Sequence, residues 1–306
     1  MKVMITGGTG QLGQTLRLTA PRCLGGRSMA LIVTSRSGEQ GTIPLDLADE
    51  TACRSFVAHH QPDWVINAGA YTAVDRAERE PELAHAVNAL APGAIAEALA
   101  ITGGRLLQVS TDFVFNGAQG SPYRLDQPVA PLGVYGMSKA AGEAAVAAAL
   151  ASEQHCILRT SWVYGPVGNN FLLTMLRLMA ERQQLGVVAD QVGCPTSTAG
   201  LASACWAVLE QGISGIHHWS DAGVASWYDF AVAIAELSQA AGLLSNPVQI
   251  QPISTAQYPT PAKRPSYSLL DCSSTRAILG LEALHWRRAL HLVVDRIAFS
   301  KASPSL

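Results

Sequence analysis

The feature that most constrains this chain is an alternation. Over its first half, short apolar runs of strand length recur at intervals of about thirty residues, with helical stretches between them. That rhythm predicts an α/β fold with a Rossmann-type, doubly wound parallel sheet covered by helices on both faces. The runs fall at residues 1–6, 31–34, 43–47, 63–70, 105–112 and 155–160. In such sheets ligands bind beyond the carboxyl ends of the strands, so the residues that close each run are the first candidates for a site.

The run at 1–6 stops at G-G-T-G-Q-L-G, with Gly7, Gly10 and Gly13 in a G-x-x-G-x-x-G register and a helix expected from Gln14. One glycine permits the tight turn, one lets backbone approach a pyrophosphate, and one lets the helix pack close to the strand. The helix start adds unpaired N–H groups and the positive end of its dipole. Gly7, Gly10, Gln11, Leu12 and Gly13 are therefore the expected phosphate cradle of a dinucleotide. The run at 31–34 ends in Ser35-Arg36-Ser37. A carboxylate there would accept hydrogen bonds from the ribose 2′-OH of NAD, whereas hydroxyls and an arginine suit a 2′-phosphate. Ser35 and Arg36 thus point to NADPH, with NADH possible if Arg36 is only a solvated loop residue. Asp46 and Leu47, with Ala70, Tyr71 and Thr72, close the next two runs and complete the expected cofactor contacts.

Residues 133–139 read G-V-Y-G-M-S-K ahead of an alanine-rich stretch, which predicts a helix. Tyr135 and Lys139, four apart, share a face. An ammonium beside a phenol favours the phenolate, so Lys139 is expected to lower the Tyr135 pKa toward neutrality. A phenol so tuned can give or take a proton at a carbonyl or alcohol. Alone, the pair could be a surface Tyr and Lys. It gains weight from its company: a strand–glycine turn–helix, then a strand ending Ser110-Thr111-Asp112, then Y-x-x-x-K, in that order.

This constellation resembles the extended short-chain dehydrogenase/reductase superfamily. Longer stretches narrow it: N-A-G-A-Y-T-A-V-D-R-A-E, V-S-T-D-F-V-F-N-G, Y-G-M-S-K-A-A-G-E, R-T-S-W-V-Y-G, V-V-A-D-Q-V-G-C-P-T and Y-P-T-P-A-K-R-P-S-Y-S. They closely resemble the dTDP-4-dehydrorhamnose reductase family, and the likeness covers nearly the whole chain. It implies NAD(P)H-dependent reduction of the 4-keto group of a dTDP-sugar, the last step of dTDP-L-rhamnose synthesis. Tyr135 would be the general acid and Lys139 would hold the nicotinamide ribose. Thr111 would stand where the superfamily has serine, and Asp112 would accept from sugar hydroxyls. Trp162 reads either as a flat wall for the sugar or base, or as an ordinary aromatic at a domain junction. Lys263 and Arg264 read either as cations for the substrate diphosphate or as a solvated basic loop.

Some family members are described as magnesium-linked dimers that use glutamates. Thr15 and Ala199, at the matching positions, are no ligands for a hard cation, so no metal is expected and monomer or homodimer stays open. Two other readings remain. One is a different extended-family sugar-nucleotide epimerase or dehydratase, although Phe113 after Asp112 leaves no carboxylate in the adjacent slot that a dehydratase would use. The other is a non-catalytic NADP-binding regulatory subunit resembling that of methionine adenosyltransferase, against which the complete Thr111, Tyr135, Lys139 set argues.

Composition narrows the partners. Charged residues make up 14% and the formal net charge is −2, so no polybasic field invites nucleic acid or an anionic membrane. Six scattered cysteines, without Cys/His pairs at metal spacing, read as reduced thiols of a cytoplasmic protein. The first residues leave no room for a signal peptide, and the apolar runs break short of a membrane span. His59-His60 and His217-His218 read as structural or surface residues. The alternation weakens after about residue 160. The expected division is a dinucleotide-binding domain over 1–160, with 185–212 returning to it, and a smaller mixed α/β substrate domain over 161–306.

Overall fold

The computed structural model describes residues 1–302. Seven parallel strands form its main sheet: Lys2–Thr6, Ala30–Ser35, Ile43–Pro44, Trp64–Asn67, Arg105–Thr111, His155–Thr160 and Gly215–Trp219. Across the sheet, in order of their place in the chain, they run third, second, first, fourth, fifth, sixth, seventh. The direction of winding reverses between the first and fourth strands, where Val3 to Thr6 pair with Trp64 to Asn67. That reversal opens the crevice in which doubly wound folds bind nucleotides.

Alternation along each strand packs both faces of the sheet, and the two layers make the first core. Val3, Ile5, Ile66 and Leu107 face one side and pack with Leu12, Leu16, Leu201, Cys205 and Val208, from helices Gln11–Leu18 and Thr198–Gln211. Met4, Val65 and Leu106 face the other and pack with Cys53, Val57, Ile95, Leu99 and Val146. These come from helices Glu50–His60, Ala91–Thr102 and Val134–Ala149. The helical stretch Pro81–Thr102 corrects one expectation, because by length and composition it could cross a membrane. Its apolar face is instead the buried layer just described, with Ala91, Ala94, Ile95, Ala98 and Leu99 all inside.

A second core gathers Leu172, Met175, Met179, Phe230, Ile234, Leu290 and Val294. Helices Phe171–Glu181, Trp227–Ala240 and Trp286–Ala302 supply it, beside a two-stranded parallel sheet of Gln184–Val188 and Gln249–Ile253. The stretch 185–212 is therefore split. Gln184–Val188 stays with this second core, whereas Thr198–Gln211 and the following Gly215–Trp219 join the large sheet. The reason is register: Gly215–Trp219 pairs residue for residue with Cys156–Thr160 and so carries its preceding helix back.

The long loop after the fifth strand is pinned. Phe115 stacks on Tyr123, ring centroids 4.1 Å apart, and both pack with Leu270 and Cys272 in a small separate core. Tyr123 N–H also donates to the Leu269 carbonyl at 2.8 Å. The C-terminal segment is thereby held beside the carboxyl end of the fifth strand.

Candidate active site

The first strand ends at Gly7, whose φ of +65° lies in the left-handed region. A Cβ there would stand 2.6 Å from the Gly69 Cα, so the turns after the first and fourth strands touch because both are glycine. A Cβ on Gly13 would run into the Gly7 carbonyl, which seats the helix directly on the turn. No side chain caps Gln11–Leu18 at Gly10, leaving its first N–H groups for an anion. A cradle that any Cβ would fill, below an uncapped helix start, fits a dinucleotide pyrophosphate.

The remaining cofactor candidates divide by what their side chains already do. The Gln11 amide donates to the Asn169 carbonyl at 3.1 Å and accepts from Asn170 at 2.9 Å, so it ties the glycine turn to the second core. Leu12 is a buried core residue. Ser35 is buried with its hydroxyl on Thr42 at 2.6 Å and accepting from Gly38 N–H at 3.1 Å. This corrects its expected role, since the hydroxyl shapes the turn and is not available to a phosphate. Arg36 is exposed on the same turn. Asp46 accepts from Ala48 N–H at 2.9 Å, while Leu47 packs over Gly69. Ala70 and Tyr71 are half-buried and Thr72 exposed. Asn88 clamps the Tyr71 backbone, accepting from its N–H at 2.9 Å and donating to its carbonyl at 3.0 Å.

Helix Val134–Ala149 starts against Glu78, which accepts from Val134 N–H at 2.9 Å. Its Tyr135 lies beside Thr111, with the Phe113 ring edge-on at 5.5 Å. Thr111 Oγ1 donates to Asp112 Oδ1 at 3.0 Å and accepts from Phe113 N–H at 3.2 Å. Asp112 is 1% exposed, and its Oδ2 has no hydrogen-bond partner among the described residues. Burial pushes the Asp112 carboxyl up to about 6, against the hydrogen bond from Thr111 and the influence of the nearby Ser268 hydroxyl.

The expected lowering of Tyr135 is not found. Burial pushes the phenol up to about 12; the Thr111 contact pulls it down and the Asp112 charge adds to the rise. Burial also brings Lys139 down to about 8, with Glu143 opposing. The physical reason is direction and dielectric: the ammonium donates to the Val109 carbonyl at 2.6 Å, and a buried site disfavours charge on either group. At neutral pH the phenol keeps its proton.

On the substrate side, Trp162 stacks flat on Trp227, centroids 3.6 Å apart at 8°, and Gly193 abuts its ring. Its φ of +46° is unusual for so bulky a residue, a strain of the kind that collects at functional sites. Arg264 is not the independent cation that its loop position implied. Its guanidinium meets both oxygens of Asp75, at 3.0 and 2.7 Å, and also Thr260. Lys263 beside it is exposed. Asp75 and Ser268 were not singled out from sequence, although both lie inside the stretches that carry the family resemblance. Among the described residues no three His, Cys, Asp or Glu side chains stand together as metal ligands. Burial and the nearby Arg159 charge bring His218 down to about 3, so it sits neutral against Phe115.

A family model described as the RmlD substrate binding domain matches residues 1–299. A dTDP-4-dehydrorhamnose reductase from Aggregatibacter actinomycetemcomitans is 39% identical over 296 residues, covering 94% of this chain and 97% of that protein. Among solved structures, a dTDP-4-dehydrorhamnose reductase from Clostridium acetobutylicum matches with a TM-score of 0.87 at 36% identity, covering 97% of this chain and 99% of its own. One from Bacillus anthracis, in complex with NADP, gives 0.85 at 33% identity, covering 95% and 98%.

Proposed function

The chain belongs to the dTDP-4-dehydrorhamnose reductase family, and on that premise we propose how its residues reduce the 4-keto group of dTDP-4-dehydro-L-rhamnose to give dTDP-L-rhamnose. The observation that carries the reading is the convergence of Thr111, Asp112 and Tyr135 at the carboxyl edge of the sheet that also bears the glycine cradle.

When bound, the reduced nicotinamide supplies a hydride to the carbonyl carbon. Negative charge then grows on the carbonyl oxygen. Tyr135, kept neutral by burial, gives that oxygen its proton as general acid. Thr111 turns its hydroxyl from Asp112 to the same oxygen and stabilises the developing charge. The unpartnered Asp112 oxygen accepts from a sugar hydroxyl. Lys139 holds the cofactor ribose, and Arg36 meets a 2′-phosphate, so NADPH is preferred over NADH. Trp162 walls the sugar. Lys263 meets the diphosphate, while Arg264 acts through Asp75 to hold the loop that presents it. The large sheet serves the cofactor and the second core the substrate. The enzyme works in the cytoplasm without a metal, as a monomer or homodimer.

The test is NADPH consumption with dTDP-6-deoxy-L-lyxo-4-hexulose and identification of the product by NMR. Stoichiometric dTDP-L-rhamnose is expected. A protein that binds NADPH but leaves the keto sugar intact would be a binding subunit instead. Lys263→Ala should raise KM for the sugar nucleotide several-fold and spare that for NADPH; an unchanged sugar KM removes Lys263 from the site.

A further inference from the structure

Three successive residues closing strand Arg105–Thr111 meet three residues of helix Val134–Ala149, set one turn apart. Thr111 meets Tyr135, the Val109 carbonyl accepts from Lys139 at 2.6 Å, and Ser110 Oγ donates to Glu143 Oε1 at 2.5 Å. Steps of four keep 135, 139 and 143 on one helix face. The first two contacts hold groups that the proposed reaction uses. The third holds a carboxylate that is bonded by the protein's own side chains.

Glu143 is 6% exposed and is gripped from the neighbouring strand by Arg159, itself 2% exposed. Arg159 Nε donates to both carboxylate oxygens, at 3.0 and 3.2 Å, and Nη2 donates to Oε2 at 2.7 Å. A buried ion pair is weak evidence for stability, because apolar residues of similar volume often serve as well or better. The neighbour that needs this one is Lys139. Its ammonium is buried, its hydrogen bond goes to a neutral carbonyl, and Glu143 is the charge that favours its protonated form.

We propose that Glu143, clamped by Arg159 and Ser110 one helical turn beyond Lys139, is the positioning residue that keeps Lys139 protonated. The functional value of that state rests on the reading of Lys139 given above. Arg159 meets Glu143 directly, and Lys139 lies one helical turn before it on the same face. Beyond Arg159 lie the Phe115 ring, 5.2 Å from the guanidinium carbon, and neutral His218. Tyr135 and Asp112 lie one turn nearer the cleft. The two clamping charges act on Lys139 with opposite signs: the carboxylate favours the ammonium and the guanidinium opposes it.

The chain has four lysines, and Lys2, Lys263 and Lys301 are exposed. Carbon-13 NMR of lysine-labelled full-length protein therefore reads the Lys139 titration directly, without turnover. In the wild type Lys139 should titrate below the other three. Glu143→Gln should lower its midpoint by about one pH unit, and Arg159→Gln should raise it. The alkaline limb of kcat/KM should move in the same two directions. Arg159→Gln leaves the carboxylate one helical turn from Lys139 with one buried charge of each sign, so it decides the matter alone if Glu143→Gln does not fold. Midpoints that stay put, or that move the same way in both variants, overturn the proposal. A wild type that titrates as described but reduces no keto sugar leaves this inference standing and removes the proposed reaction.

Discussion

Asp112 concentrates the chemistry of the site at the scale of one residue. Its folded pKa of about 6 stands above the ordinary 3.8, because burial opposes its charge more than Ser268 and Thr111 support it. The folded protein therefore holds this proton more tightly than the unfolded chain. The resulting stability is full below about pH 4 and is lost as pH rises through 6. About two pKa units correspond to roughly 3 kcal/mol. Asp112→Asn should exceed the wild type in stability at pH 7.5 by roughly 1–3 kcal/mol, with the gap closing by pH 4 in denaturant melts. Parallel pH slopes for the two proteins would contradict the burial argument. The spacing of Tyr135 and Lys139 placed both on one helix face, but not the sense of their pKa shifts. That depends on how deeply the pair is buried and on Lys139 donating to Val109, and a four-residue interval encodes neither.

Among the elements, helix Val134–Ala149 sets the geometry. It lies against the π-helical segment Ala86–Leu90 so closely that a Cβ on Gly142 would collide with the Asn88 carbonyl. Asn88 holds the Tyr71 backbone and donates to Ser138 Oγ at 3.0 Å, so the collision would reach both sides of the cleft. Gly142→Ala should cost about 1–3 kcal/mol in urea unfolding and lower kcat; full activity and stability would mean that the helices separate without consequence. Elements with a sustained period were legible in advance: the runs at 1–6, 105–112 and 155–160 stand as strands Lys2–Thr6, Arg105–Thr111 and His155–Thr160. The two-residue strands Cys23–Leu24 and Arg27–Ser28 were not, since two residues carry no period. Nor was Ser273–Leu279, which is barely two turns long. The return of Gly215–Trp219 to the large sheet is a tertiary pairing with residues about sixty positions earlier, and no local pattern announces it.

For the whole molecule, the glycine cradle belongs to the large sheet, Gln11 reaches from it to the loop at Asn169-Asn170, and Ser268 of the C-terminal segment lies near Asp112. Cofactor bound in the cradle should brace both cores. NADPH at about a hundred times its Kd should add about 2.7 kcal/mol and raise Tm by several degrees, with NADH giving less at the same concentration. An equal shift from NADH would remove the role given to Arg36. EDTA should leave activity unchanged, because Thr15 and Ala199 offer a hard cation nothing; loss restored by magnesium would contradict this. The central claim is that the Tyr135 phenol delivers the proton to the carbonyl oxygen. Its most direct test is kcat of Tyr135→Phe on the keto sugar nucleotide, measured together with NADPH affinity by nicotinamide fluorescence. The expected result is wild-type affinity with kcat lowered by about 10²- to 10⁴-fold. A variant that binds NADPH normally and turns over at the wild-type rate would contradict it.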